Sequence, residues 1–222
     1  KPSLRVLLAD LGADGAILPT RSDYLMVVDT NMGFNKVNPR IDQRIEYMVD
    51  LASTPRTTAR LTVYYTHTST IHLTECIHAP AYGRTYADMM ERCYWDYVRI
   101  YAPYGSTAIL GPASPHTETA PDGDKETFAT FFSLAPGQAY RLALDYLLPP
   151  GIFEQRGKES RYSLLVQKQP GARPLPLRVA VVLPLGATLT MASPQPDLIV
   201  GNVAVFDALL DRDRRIEVRF AR

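Results

Sequence analysis

Three of the four histidines, His67, His72 and His78, fall within twelve residues, spaced by five and six. Loop histidines so spaced could ligate a metal, with Glu75 or Asp88 adding a carboxylate. Neither spacing puts two ligands on one helix face, as H-E-x-x-H does. The expected reading is therefore polar loop histidines bonded to backbone, with no metal. Cys76 and Cys93 are the only cysteines. Their spacing is far from C-x-x-C, and no second Cys-His pair matches Cys76 and His78, so redox chemistry and zinc are not expected. A disulfide is expected, closing a loop of about 17 residues and contributing about 3 kcal/mol in the chain-entropy picture. The alternative is two unpaired buried thiols.

Other reaction signatures are missing. There is no G-x-S-x-G elbow and no glycine-rich phosphate loop. Paired carboxylates suited to glycoside hydrolysis stay open, since any two of the 23 acids can meet in space. No catalytic residue and no cofactor are assigned.

Binding chemistry is better represented. The segment Asp29-Thr-Asn-Met-Gly-Phe-Asn-Lys-Val-Asn38 sets three asparagines, a glycine and a lysine after a short apolar run. Loops at strand ends often carry function. Asn31, Asn35 and Lys36 could hold a sugar or a phosphate; equally, asparagines supply left-handed turns, and Lys36 would then be solvated. Aromatic residues gather around the cysteines at Tyr82, Tyr86, Tyr94, Trp95, Tyr97, Tyr101 and Tyr104. Exposed rings bind glycans or protein partners. His78, Tyr82 and Trp95 therefore join the three loop residues as candidate contacts.

Strands must position these residues. Ile45, Tyr47, Val49 and Leu51 alternate with polar neighbours. After a turn at residues 53–56, Ala59, Leu61, Val63 and Tyr65 do the same, which predicts a long hairpin. Tyr94 to Tyr101 alternates again, leaving Trp95, Tyr97 and Arg99 on an amphipathic face. Thr127 to Leu134 and Tyr140 to Leu148 flank Ala135-Pro-Gly-Gln138 and predict a second hairpin. Shorter strands are expected at 24–29, 107–110, 162–168, 177–183, 188–191, 199–206 and 215–220. Helical spacing appears only at 3–11 and 86–92, with Ser3 and Gly12 as candidate caps for the first. Residues 66–83, 112–125 and 149–159 read as loops. The sum is an all-β or β-rich α+β chain, with antiparallel strands in sandwich-like layers and one or two short helices. Residues 1–40 read as the tail of an upstream element plus a linking strand. Residues 41–111 read as a first β module carrying the Cys76–Cys93 loop. Residues 125–222 read as a second sandwich module, which could pack with the first as one domain.

Charge narrows the partners. With 24 basic and 23 acidic residues the net charge is +1, so no field favours nucleic acid or an anionic membrane. No apolar run approaches about 18 residues, so nothing spans a bilayer as a helix. The chain opens at Lys1 without methionine or signal peptide, and it reads as a piece of a longer precursor. One cysteine pair in a chain with 18 prolines and 13 tyrosines fits an exported protein.

Three stretches carry a resemblance: Asp23 to Asn38, Tyr82-Gly83 through Cys93-Tyr-Trp95, and Leu165-Val-Gln-Lys-Gln-Pro-Gly171. Together they are similar to the C-terminal region of the bacterial domain of unknown function 4012 family. That resemblance implies a membrane-anchored, outward-facing envelope protein, anchored through a segment upstream of this chain. It implies no catalytic residues. The leading expectation is a non-catalytic extracellular module that binds cell-wall glycan or an envelope protein, or serves as scaffold. An envelope enzyme acting on polysaccharide or lipid-linked sugar needs Asp29, Lys36 or a loop histidine to converge in a cleft. A self-assembling surface-layer subunit would associate through sheet edges.

Overall fold

Two-residue periodicity builds more than half of this chain's described residues into strands. The structure, a computed structural model, describes residues 4–10, 14–52, 56–71, 73, 75–79, 83–111 and 117–221. In chain order these form α1 (Leu4–Asp10), β1 (Asp23–Asn31), a 3-10 turn (Asn38–Arg40), β2 (Ile41–Asp50), β3 (Thr58–His67), α2 (Tyr86–Met90), β4 (Tyr94–Pro103) and β5 (Thr107–Ile109). There follow β6 (Glu118–Asp122), β7 (Lys125–Leu134), β8 (Ala139–Leu147), β9 (Phe153–Arg156), β10 (Glu159–Gln167) and β11 (Leu175–Val182). The last four are β12 (Thr188–Ser193), β13 (Leu198–Val200), β14 (Val203–Leu210) and β15 (Arg214–Ala221). The all-β expectation is met. Ser3 and Gly12 lie outside the described residues.

The strands form two sheets. One runs β12-β15-β10-β1-β4-β7-β6, with β9 added on β10; the other runs β13-β14-β11-β2-β3-β8-β5. Strands from 41–111 and from 125–222 lie side by side in both. Each sheet has a seam that joins distant parts of the chain, β1 beside β10 and β2 beside β11. Both seams are parallel, so the layers are mixed rather than purely antiparallel. The two inner faces close on one core that draws residues from Leu25 to Phe220.

The predicted hairpin at 45–65 is real: β2 and β3 pair from Ile41↔His67 to Asp50↔Thr58. The second predicted hairpin does not form. β7 pairs with β4 and β6, whereas β8 pairs with β3 and β5. The Pro136-Gly137 turn therefore carries the chain from one sheet to the other. Gly137 takes φ +76°, which a side chain would resist. Two predicted loops also contain strands. β6 folds back on β7 around Gly123, and β9 pairs with β10 from Phe153↔Tyr162 to Arg156↔Glu159. Every residue of β6 is exposed, so apolar alternation could not mark it.

The inner face of β1 brings acids into the sandwich. Alternation puts Asp23, Leu25, Val27 and Asp29 on that face, with Asn31 at its end. Leu25 and Val27 sit in the core, while Tyr24 and Met26 belong to a smaller outer cluster with Tyr101 and Leu165. No helix among the described residues is long and apolar enough to cross a membrane.

Candidate functional site

The segment between β3 and β4 is pinned to one end of the sandwich. The Cys76–Cys93 disulfide is present, with the Cα atoms 5.7 Å apart. His67 Nε2 donates to the Arg92 carbonyl at 2.8 Å. Arg40 and Ser69 both bond the Glu91 carboxylate. The Lys36 backbone N–H reaches the Met89 carbonyl at 3.1 Å. Thr85 caps α2 by accepting from the Asp88 N–H at 3.1 Å.

The asparagine loop after β1 is held with equal care. Asn31 Nδ2 donates to Asn35 Oδ1 and Asn38 Oδ1 at 2.9 and 2.7 Å, and Asn31 Oδ1 accepts from the Gly33 N–H at 2.8 Å. Asn35 Nδ2 donates to the Cys93 carbonyl at 2.9 Å, which ties this loop to the disulfide. A Cβ on Gly33 would stand 2.6 Å from Asn35 Nδ2 and 3.0 Å from Trp95 Cδ1, so the loop crosses the indole as closely as a glycine allows. Between these anchors Phe34 takes φ +53°, alone among the described non-glycine residues in having a left-handed backbone. A bulky residue there is strained, and such strain persists only where the surroundings enforce it.

The consequence is a row of rings on the outside of the sandwich. β4 points Trp95, Tyr97 and Arg99 away from the core, and β7 does the same with Phe131, which lies opposite Tyr97. His78 stacks on Trp95 with centroids 4.6 Å apart. Phe131 lies 6.1 Å from Trp95, and Phe34 lies 5.8 Å from His78. His78 Nε2 donates to the Met32 carbonyl at 2.9 Å, which fixes the imidazole in the row. Phe34 and Phe131 are each 48% exposed, and Ile77, next to His78 in the chain, 69%. Trp95 also borders a cleft of about 300 Å³ whose walls include Asn35, Glu75, Asp88 and Arg92.

Four of the sequence candidates, Asn31, Asn35, His78 and Trp95, are thus brought together. The two asparagines hold the loop in shape, while His78 and Trp95 form the row itself. Lys36 is exposed on the loop. Tyr82, His72 and His116 lie outside the described residues. Composition does not single out Phe34 or Phe131; the signals available were an apolar ring inside a turn-forming segment and a ring on the polar face of β7.

A second polar cluster lies inside the sandwich, on β1. Gln43 Nε2 and the Tyr65 hydroxyl each donate to the Asp29 carboxylate at 2.7 Å. Asp96, inward from β4, is wholly buried nearby. Burial first, and the facing Asp29 carboxylate second, push Asp96 far above the usual carboxylate range. Burial likewise raises the hydroxyls of Tyr65 and Tyr94. Asp29 lines an open cleft of about 450 Å³ with Asn38, Gln43, Tyr94 and Gln169. Among the described residues Asp29, Lys36 and a loop histidine do not share a cavity: Asp29 faces inward, and His78 is on the outer row. At the other end of β1, Asp23 receives the hydroxyls of Tyr47 and Tyr162 at 2.7 and 2.5 Å. Burial raises its pKa to about 6, against the pull of those hydrogen bonds. No group of three or more His, Cys, Asp or Glu among the described residues is arranged to hold a metal ion.

No family model matches the sequence, and no curated protein matches it. Among solved structures, one from Legionella pneumophila subsp. pneumophila, provisionally described as a nutrient binding protein, is similar over 88% of this chain and 70% of that one. The identity is 9% and the TM-score 0.40, too loose a likeness to carry an argument about function.

Proposed function

We propose that this chain is a non-catalytic binding module of a bacterial envelope protein, displayed outside the cell, and that it contacts cell-wall glycan through the row Phe34, His78, Trp95 and Phe131. The observation that carries this reading is the row itself. A loop braced by three asparagines and a disulfide-anchored segment holds a strained phenylalanine in the open, in line with three further rings.

The chemistry favours a sugar. Ring faces are electron-rich and attract the weakly positive C–H faces of a pyranose. The adjoining cleft offers carboxylate, amide and guanidinium groups for hydroxyls, at a volume of about 300 Å³. The exposed rings of Phe34 and Phe131 flank the stacked His78–Trp95 pair rather than gathering in a pit, which suits an extended chain of sugar units. The outward location is supported by the disulfide, which persists in oxidising compartments. The envelope setting is supported by the family resemblance of the segments at 23–38, 82–95 and 165–171.

Trp95 is the only tryptophan, so intrinsic fluorescence reports on the row directly. Titration with soluble peptidoglycan fragments or chitin oligosaccharides is expected to shift and quench that emission saturably. Phe34→Ala and Phe131→Ala should each weaken binding about tenfold or more, as for central aromatic contacts. A flat titration with both glycans, or binding unchanged in both variants, refutes the reading.

A further inference from the structure

Asp96 is the least satisfied polar group among the described residues of the sandwich. Its side chain is wholly buried, and neither carboxyl oxygen has a partner in hydrogen-bond geometry. Its nearest polar neighbours are the Asp29 carboxyl, the Tyr94 hydroxyl and the Thr30 backbone, with no Lys, Arg or His among them. A buried carboxylate without compensation is far costlier than a buried neutral group, so Asp96 is neutralised in the fold, by a proton or by a cation. Asp29 is already oriented toward its role: each of its oxygens accepts one bond at 2.7 Å, from Gln43 and from Tyr65, and each keeps a further lone pair.

We propose that Asp29 and Asp96 form a calcium-type cation site at the floor of the inter-sheet cleft. Two carboxylates balance a doubly charged ion. A bound cation engages both Asp96 oxygens, whereas a proton would cover only one. Oxygen donors without nitrogen or sulfur select a hard cation over zinc. The Tyr94 hydroxyl and the Gln43 amide oxygen, which line the cleft of about 450 Å³ together with Asp29, complete the set with water; the ion enters from that cleft at Asp29, and Asp96, off the lining, closes the site from within. With only two carboxylates the affinity belongs with extracellular modules, a Kd of about 10⁻⁴–10⁻³ M. The site binds β1 to β4 and to β2, directly behind the loop that carries Phe34. It does not depend on the glycan reading.

The test uses the 222-residue chain stripped with chelator. Terbium, a calcium mimic, is added with excitation through tyrosine, since the Tyr65 hydroxyl touches Asp29. Calcium chloride then competes, and Tm is followed with and without about 10 mM calcium. The expected results are sensitised terbium emission, its displacement by calcium but not by sodium, and a calcium-dependent rise of a few degrees in Tm. D96N should lower calcium affinity by about tenfold or more. D29N, at a half-buried position, is the second variant if D96N does not fold, with the same expectation. No terbium emission and an unchanged Tm in the parent chain overturn the proposal, as does full affinity in a folded D96N or D29N; the pair then shares a proton.

Discussion

Asp23→Asn exchanges a buried, ionisable carboxyl for a neutral amide of the same size where the Tyr47 and Tyr162 hydroxyls converge. Burial lifts the Asp23 pKa from 3.8 to about 6. At about 1.4 kcal/mol per pH unit, that rise is worth about 3 kcal/mol. The direction depends on which state holds the proton. Below pH 3.8 the carboxyl is protonated whether the chain is folded or not. Between there and about pH 6 the folded chain keeps the proton while the unfolded chain loses it, so stability falls as pH rises and levels off above. Urea unfolding of both proteins at about pH 4, 5, 6 and 7, with the disulfide intact, gives the difference in which other titrating groups cancel. The parent's stability relative to the variant should drop by about 2.4 kcal/mol across that range, with equal m-values. A difference that stays constant, or grows with pH, would show that the tyrosine hydrogen bonds match or outweigh burial and would refute the reasoning.

The loops give further expected outcomes. Phe34→Asn relieves a left-handed phenylalanine at φ +53° and should stabilise the chain by about 1 kcal/mol, read by chemical denaturation, while removing glycan binding. Cys76→Ser with Cys93→Ser should cost about 3 kcal/mol, with limited proteolysis cutting first between residues 67 and 93. Gly33→Ala should displace the loop from the indole and change Trp95 emission without ligand, since its Cβ would meet Trp95 Cδ1 at 3.0 Å.

Legibility in the sequence tracks the range of the interaction. The β2–β3 hairpin is readable because period-two alternation on both sides of a short turn is a local signal. The β7–β8 turn carries the same signs and yet crosses between sheets, because a Pro-Gly corner says nothing about which sheet the next strand joins. The parallel seams pair Leu25 with Val166 and Tyr47 with Val179, partners more than a hundred residues apart that no local pattern encodes. In the site, loop composition points to Asn31, Asn35, His78 and Trp95. Phe34 is invisible to composition because its exposure comes from a backbone conformation. Asp96 shares the inward register with Val98 and Ile100, and an acid on that face was the available sign of a buried charge.

Trp95 contributes the molecule's one indole N–H, so a single resonance in a proton–nitrogen correlation spectrum reports from the middle of the proposed contact surface. Titrating soluble peptidoglycan fragments into the labelled chain should move that resonance progressively to saturation, and Phe131→Ala should weaken the midpoint. An indole resonance that stays fixed while the fragments bind elsewhere, or do not bind, contradicts the account.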